Sequence, residues 1–151
     1  LGNKKHVAKL GNKSVTKKRK EICIPYKNEY FLNPGHPSTK EYLMKLVREV
    51  VTRYDVDGVH FDYLRYPENA PRFPDSYDFR RYGKGRTLDQ WRRDNLTDIV
   101  RYIYKGVKEI KPWVNTKIPP GTLHVAGMLS IPYIKIRKDG WAKVYKTRST
   151  P

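Results

Sequence analysis

The chain holds one cysteine, Cys23, so no disulfide can form within it and the redox compartment is left open. It has no run of about 18 apolar residues, which excludes a membrane-spanning helix. No secretory leader is recognisable. The chain opens on Leu1 rather than Met, which points to an excised or incomplete piece in which a missing leader says nothing. The four histidines and Cys23 show no metal-ligand spacing, so no metal is expected. No phosphate-cradling glycine loop occurs, and no cofactor is expected. Acids are scarce: 15 Asp and Glu stand against 32 Lys and Arg, a net charge of +17.

A surplus of that size would ordinarily suggest a nucleic-acid partner. Its distribution argues otherwise. Residues 1–20 hold eight Lys and Arg and no acid, and residues 110–151 hold eight with only Asp139 opposing them. The stretch 21–109, with sixteen bases and fourteen acids, is close to neutral. Residues 1–20 show no clear apolar period and read as a basic loop or tail, either solvated or a polyanion-binding arm.

What is present centres on Asp57-Gly58-Val59-His60-Phe61-Asp62-Tyr63. A strand alternates its side chains between two faces. Val59 and Phe61 share one face; Gly58, His60 and Asp62 share the other. In a closed parallel barrel the outer face meets helices and the inner face points to the axis, and the carboxyl ends of the strands carry the chemistry. A His and an Asp side by side on an inner face are costly unless paired, solvated or working. Asp62, last in a strand over 58–62, is therefore the candidate catalytic residue, with His60 beside it.

The flanking pattern is that of βα units. Residues 21–25 suggest a short strand, with a turn near Lys27-Asn28, and Tyr30-Phe31-Leu32 a second apolar run closed by Asn33-Pro34-Gly35. Ser38 and Glu41 fit a capping box opening a helix over 38–54, with Leu43, Leu46, Val47, Val50 and Tyr54 as its apolar stripe. A long loop over 63–86, rich in aromatics, is expected to be ordered and functional. A second capping box at Thr87-Leu88-Asp89-Gln90 opens a helix whose apolar face is Trp91, Leu96, Ile99, Val100, Ile103, Val107 and Ile110, stopped at Lys111-Pro112. Residues 113–118 read as the next strand. This order implies a parallel sheet. A whole (β/α)₈ barrel needs about 250 residues, so the fold class expected is α/β: an incomplete, partial (β/α) TIM barrel over 21–118 with basic irregular ends at 1–20 and 119–151. After Ile118 the periodicity stops, although a βα repeat demands a helix. The stretch 119–151 therefore reads as foreign to a barrel, for instance as a shifted reading frame.

With these pieces quoted, the chain resembles the glycosyl-hydrolase-like 10 family of bacterial TIM-barrel proteins. The resemblance rests on Tyr30-Phe31-Leu32-Asn33-Pro34-Gly35, the segment from Tyr54 to Tyr63, Arg65-Tyr66-Pro67, Tyr82-Gly83, Trp91-Arg92-Arg93-Asp94-Asn95 and Lys111-Pro112-Trp113-Val114. It spans about residues 28–118 and suits the family's middle third. It implies a barrel that cleaves or binds glycans of the bacterial cell wall or other complex carbohydrates, outside the cytoplasm. Asn33 stands where the family often has Asp, and Ile118-Pro119-Pro120-Gly121 where it usually has a Ser-Pro-x-Gly turn.

Glycoside hydrolysis needs two carboxyl groups, about 5–5.5 Å apart for retention or 6.5–9.5 Å for inversion. Asp62 supplies one. Asp57 lies on the other face at the strand's far end, about 16 Å away at 3.3 Å per residue, and reads as a turn residue. The partner is expected on a strand this chain lacks, so the chain alone is expected to be inactive and marginally stable. His60 either orients Asp62, bonds a sugar hydroxyl or fills the barrel axis. Arg65 either pairs with Asp62, lowering its pKa, or bridges the loop. Tyr63, Tyr66 and Tyr77 either stack on sugar rings or form the loop's own core. Trp91, Arg93 and Asn95 begin a helix at the cleft rim; Arg93 and Asn95 are favoured as loop-locking, Trp91 as packing, with substrate contact the sharper reading of all three. The expected substrate-binding set is thus Tyr63, Arg65, Tyr66, Asn33, Trp91, Arg93 and Asn95, and the partner an oligosaccharide or polysaccharide. The alternative is a basic nucleic-acid or polyanion binder using residues 1–20 and 135–148; a bare structural module is the third reading.

Overall fold

A computed structural model describes residues 2–59, 64–67 and 70–114. His60, Phe61, Asp62 and Tyr63, and everything from Asn115 onward, lie outside the described residues. What is described is a mixed helix-and-sheet structure.

Two antiparallel strands, β2 (Cys23–Tyr26) and β3 (Glu29–Leu32), pair in the register Cys23 to Leu32 and Tyr26 to Glu29. The two residues between them, Lys27 and Asn28, close the hairpin, and Lys27 takes the left-handed φ of 52°. A two-residue connection can only join antiparallel strands. The sheet among the described residues is therefore antiparallel; the strands over 58–62 and 113–118 for which a parallel sheet is expected lie largely outside the described residues. A two-residue strand β1 (Gly2–Asn3) adds to the free edge of β3, giving the order β1-β3-β2.

The segment read as an irregular tail is folded. Helix α1 (Lys4–Leu10), a 3₁₀ turn (Gly11–Lys13), helix α2 (Val15–Lys18) and a second 3₁₀ turn (Lys20–Ile22) lead into β2. Val7, Ser14, Thr16 and Ile22 are buried. Ser14 caps α2, its Oγ accepting from the Thr16 N–H at 3.2 Å. The Lys4 N–H donates to the Asn28 carbonyl at 2.9 Å, tying the start of α1 to the hairpin. No apolar period is visible because each short element contributes one or two inward residues.

Helix α3 (Pro37–Arg53) starts one residue before the expected capping box. His36 is the cap, its Nδ1 accepting from the Ser38 N–H at 3.3 Å, and Pro37 fills the first helical position, where its missing N–H costs nothing. The buried stripe is Thr39, Met44, Val47 and Val51, flanked by Leu43 and Val50. Leu46 and Tyr54, expected inside, are 43% and 61% exposed. Within the loop over 63–86 lie a 3₁₀ turn (Ala70–Arg72) and helix α4 (Ser76–Tyr82). Helix α5 (Leu88–Ile110) opens as expected, the Thr87 hydroxyl accepting from the Gln90 N–H at 3.2 Å.

α3 and α5 pack on each other over Met44, Val47, Val51, Ile99, Ile103 and Val107, with Val56, Val59 and Val114 closing the cluster. Gly106 permits the close approach: a Cβ there would stand 2.6 Å from the Met44 thioether. Beyond α5 the chain turns instead of starting a strand at Trp113. The Val114 N–H donates to the Lys111 carbonyl at 3.1 Å, and Lys108 Nζ donates to the Pro112 and Val114 carbonyls at 2.8 and 3.0 Å.

Candidate functional site

Asp62, His60 and Tyr63 fall outside the described residues, but the residues that flank them in the chain are described. Val59, just before them, is buried in the α3–α5 core, and Leu64 just after bridges that core to a second cluster. The second cluster is aromatic. Phe73 is its hub, edge-on to Tyr66 (5.5 Å), Tyr26 (5.7 Å) and Phe31 (6.3 Å). The hairpin and the loop thus share one small core over Leu96 of α5.

The lock on this loop is Arg92. Its Nε and Nη2 donate to both carboxylate oxygens of Asp75, at 2.9 and 2.6 Å, its Nη1 to the Ala70 carbonyl at 2.7 Å and its Nη2 to the Phe73 carbonyl at 3.2 Å. Its guanidinium lies 5.2 Å from the centroid of the Tyr66 ring. Both charges are buried, and a buried charge is tolerable only with such partners. Asp75 raises the Arg92 pKa by hydrogen bond and charge, outweighing the opposing effect of burial, which is the largest single influence. Arg93, favoured from sequence as the locking residue, is exposed and donates to Gln90 Oε1 at 3.0 Å. Neighbours on a helix point about 100° apart, so only one of the two arginines can face inward. A second brace, Arg86, carries no signal in the sequence. It donates to the Gly83 and Tyr82 carbonyls and to Asp94 Oδ2, closing the loop's far end onto α5. An Arg-Arg pair followed by apolar helix residues does not reveal which member turns in; Asp75, seventeen residues earlier, decides it.

Asn33 and Trp91 are both fully buried. Asn33 is fully buried; its Nδ2 donates to Asp78 Oδ2 at 2.5 Å, its Oδ1 accepts from the Gly35 N–H at 3.0 Å, and its carbonyl accepts from Thr39 Oγ1 at 2.5 Å. It fastens the end of β3 to α4. Burial pushes the Asp78 carboxyl upward, and His36 and Asn33 pull partly against it. Trp91 is fully buried beneath Gly35 and beside Phe79, ring centroids 5.4 Å apart. A Cβ on Gly35 would meet Trp91 Cη2 at 2.2 Å, so this residue must be glycine for steric reasons.

Tyr66 and Asn95 differ. Tyr66 is 8% exposed, yet among the described residues neither its hydroxyl nor the buried Asn95 Nδ2 makes a hydrogen bond of regular geometry, although the two lie close enough for Asn95 to act on the hydroxyl as a donor. The two groups are neighbours: Asn95 eases the rise in the Tyr66 pKa that burial, and secondarily Asp75, imposes. Buried polar groups are nearly always paired, so each exception calls for an explanation. Arg65 is half-buried, and Tyr77 is exposed on α4. Among the described residues, no three His, Cys, Asp or Glu side chains are grouped to hold a metal, and no helix is long and apolar enough to cross a membrane.

Val59 and Leu64, on either side of the undescribed segment, thus pack against two helices and an arginine-locked aromatic loop. The family model for "Glycosyl hydrolase-like 10" matches residues 3–139, and the chain belongs to this family. The match begins well before Asn28 and runs past Ile118, so the family likeness reaches into both ends expected to lie outside it. The chain is 34% identical over 116 residues to the glycosyl hydrolase YngK of Bacillus subtilis, covering 74% of this chain and 23% of that protein. It is 35% identical over 95 residues to the glycosyl hydrolase DigH of Escherichia coli K12, covering 62% and 22%. An S-layer-related protein of Niallia circulans is 31% identical over 71 residues, covering 44% and 4%. The chain therefore spans less than a quarter of the length of these curated relatives.

Proposed function

We propose that the chain is a segment of a partial (β/α) barrel that hydrolyses glycosidic bonds in a bacterial cell-wall or other complex glycan, with Asp62 as a catalytic carboxylate. Membership of the glycosyl hydrolase-like 10 family carries the reading. The alternation over Gly58-Val59-His60-Phe61-Asp62 supplies the residue: read as a strand from this pattern, the segment closes on the Asp62 carboxylate, ahead of a loop whose later residues are anchored on α5. Hydrolysis adds water across the glycosidic C–O bond, one carboxyl protonating the leaving oxygen while the other assists attack. The second carboxyl comes from a strand outside this chain. His60 orients Asp62; Tyr63, Arg65, Tyr66 and Asn95 bind sugar hydroxyls and rings; Asn33, Trp91 and Arg92 hold the wall. An envelope setting is supported by the S-layer-related relative.

Titration of the chain with soluble glycan-strand oligosaccharides, followed by amide NMR shifts, tests this. Saturable binding that weakens by about tenfold in Asp62→Asn, the worth of one hydrogen bond to a charged group, is expected. Binding unaffected by that substitution, or no glycan binding by a folded chain, would overturn the assignment.

A further inference from the structure

The outward face of α4 takes no part in the contacts described above. At about 100° per residue, Asp78, Phe79 and Tyr82 fall on one side of this helix and Tyr77, Arg80 and Arg81 on the other, Arg80 about 60° and Arg81 about 40° to either side of Tyr77. Burial follows the same division. Asp78 is buried and Phe79 and Tyr82 are half-buried, whereas Tyr77, Arg80 and Arg81 are exposed. The inward side fixes the helix: Asp78 accepts from Asn33, Phe79 lies beside Trp91, and the Tyr82 ring stands edge-on to His36 at 6.1 Å. Asn33 follows β3, His36 caps α3, and Trp91 lies in the first turn of α5. Helix α4 therefore sits where one strand ends and two helices begin. In a (β/α) barrel that end carries the chemistry.

We propose that Tyr77, Arg80 and Arg81 form a rim subsite for an acidic sugar, a pyranose ring carrying a carboxylate; the subsite rests on the glycan reading above and narrows its substrate. Three observations select this ligand. First, both cations are arginines, side by side on one helix face. The planar guanidinium fork matches a carboxylate through two parallel N–H···O bonds. Among the described residues neither arginine has a carboxylate partner: the Arg81 guanidinium rests over the Tyr82 ring at 5.5 Å, and Asp78 is turned inward onto Asn33. Second, Tyr77 is 63% exposed between them. Its ring offers a flat apolar surface to the C–H face of a sugar while its hydroxyl stays in water. Third, the face is small. Seven residues make a helix about 10 Å long, and three side chains fall far short of the roughly 800 Å² per partner that a stable protein interface takes. Because the inward contacts already hold the helix, binding has no backbone ordering to offset.

The test titrates the intact chain with glycan-strand oligosaccharides bearing free sugar carboxylates, and with the same oligosaccharides as their methyl esters, followed by amide NMR shifts. The acid form binds about tenfold more tightly than the ester, the worth of one hydrogen bond to a charged group. Arg80→Gln/Arg81→Gln abolishes that preference and leaves the affinity for the ester and the melting temperature unchanged. A control, Lys45→Gln/Arg48→Gln, removes the same charge from exposed positions on α3 and keeps the preference. Tyr77→Ala weakens both forms to the same degree, because it deletes the stacking surface and no charge. Equal affinity of the parent for acid and ester, a preference that survives in Arg80→Gln/Arg81→Gln, or the same loss in the control overturns the subsite and leaves the glycan reading standing. No binding of either form by the folded chain overturns both.

Discussion

The Arg92 guanidinium grips both carboxylate oxygens of Asp75, at 2.9 and 2.6 Å, in a site where the side chains are 6% and 1% exposed. The same guanidinium binds two loop carbonyls and covers the Tyr66 ring. Removing one partner strands the other charge. Arg92→Met or Asp75→Ala is expected to destabilise the chain by about 3–5 kcal/mol. The double variant Arg92→Met/Asp75→Leu should lose less than the sum, because no charge remains unpaired. Urea unfolding followed by near-ultraviolet dichroism, which sees the aromatic cluster, measures both.

Two glycines sit against large side chains with opposite consequences. Gly35→Ala drives a methyl into the Trp91 ring, itself fully buried and unable to yield, and should cost about 1–3 kcal/mol. Gly106→Ala meets only the flexible end of Met44. There the gain in helix propensity of about 1 kcal/mol offsets the displacement, and the net change should be small. Thermal melts of the two variants separate these outcomes.

Asp78 gives a pH signature. Burial raises its carboxyl pKa above the ordinary value of 3.8, so the folded chain holds this proton more tightly than the unfolded one. Its contribution to stability is complete below 3.8, is lost as pH climbs through the raised value, and is flat above it. Asp78→Asn keeps an acceptor for Asn33 and removes the buried charge. The variant should gain on the parent as pH rises from about 3 towards 7, read as the difference between their melting temperatures.

Tyr66→Phe leaves the ring under Arg92 and deletes a buried hydroxyl that has no well-formed hydrogen bond among the described residues. An unmet buried polar group costs about 1–3 kcal/mol, so the unliganded variant should be more stable. Under the proposed function it should also bind glycan oligosaccharides more weakly. A melt and a titration on the same sample check the two opposed effects.

The sequence by itself determined the two long helices, the hairpin turn at Lys27-Asn28 and the family. Each is written in short-range signals: apolar residues three and four apart, a hydroxyl before a helix, and motifs whose order survives divergence. It did not reveal that residues 2–20 fold, because elements of one or two turns bury too few residues to show a period. Nor could it tell that Arg92 rather than Arg93 turns inward, or which partners bury Asn33 and Trp91. Those outcomes hang on partners far away along the chain: Asp75 for Arg92, Asp78 for Asn33, Gly35 for Trp91. Burial makes an unpaired charge or a misplaced ring expensive, and only the tertiary structure decides which side chains are buried together.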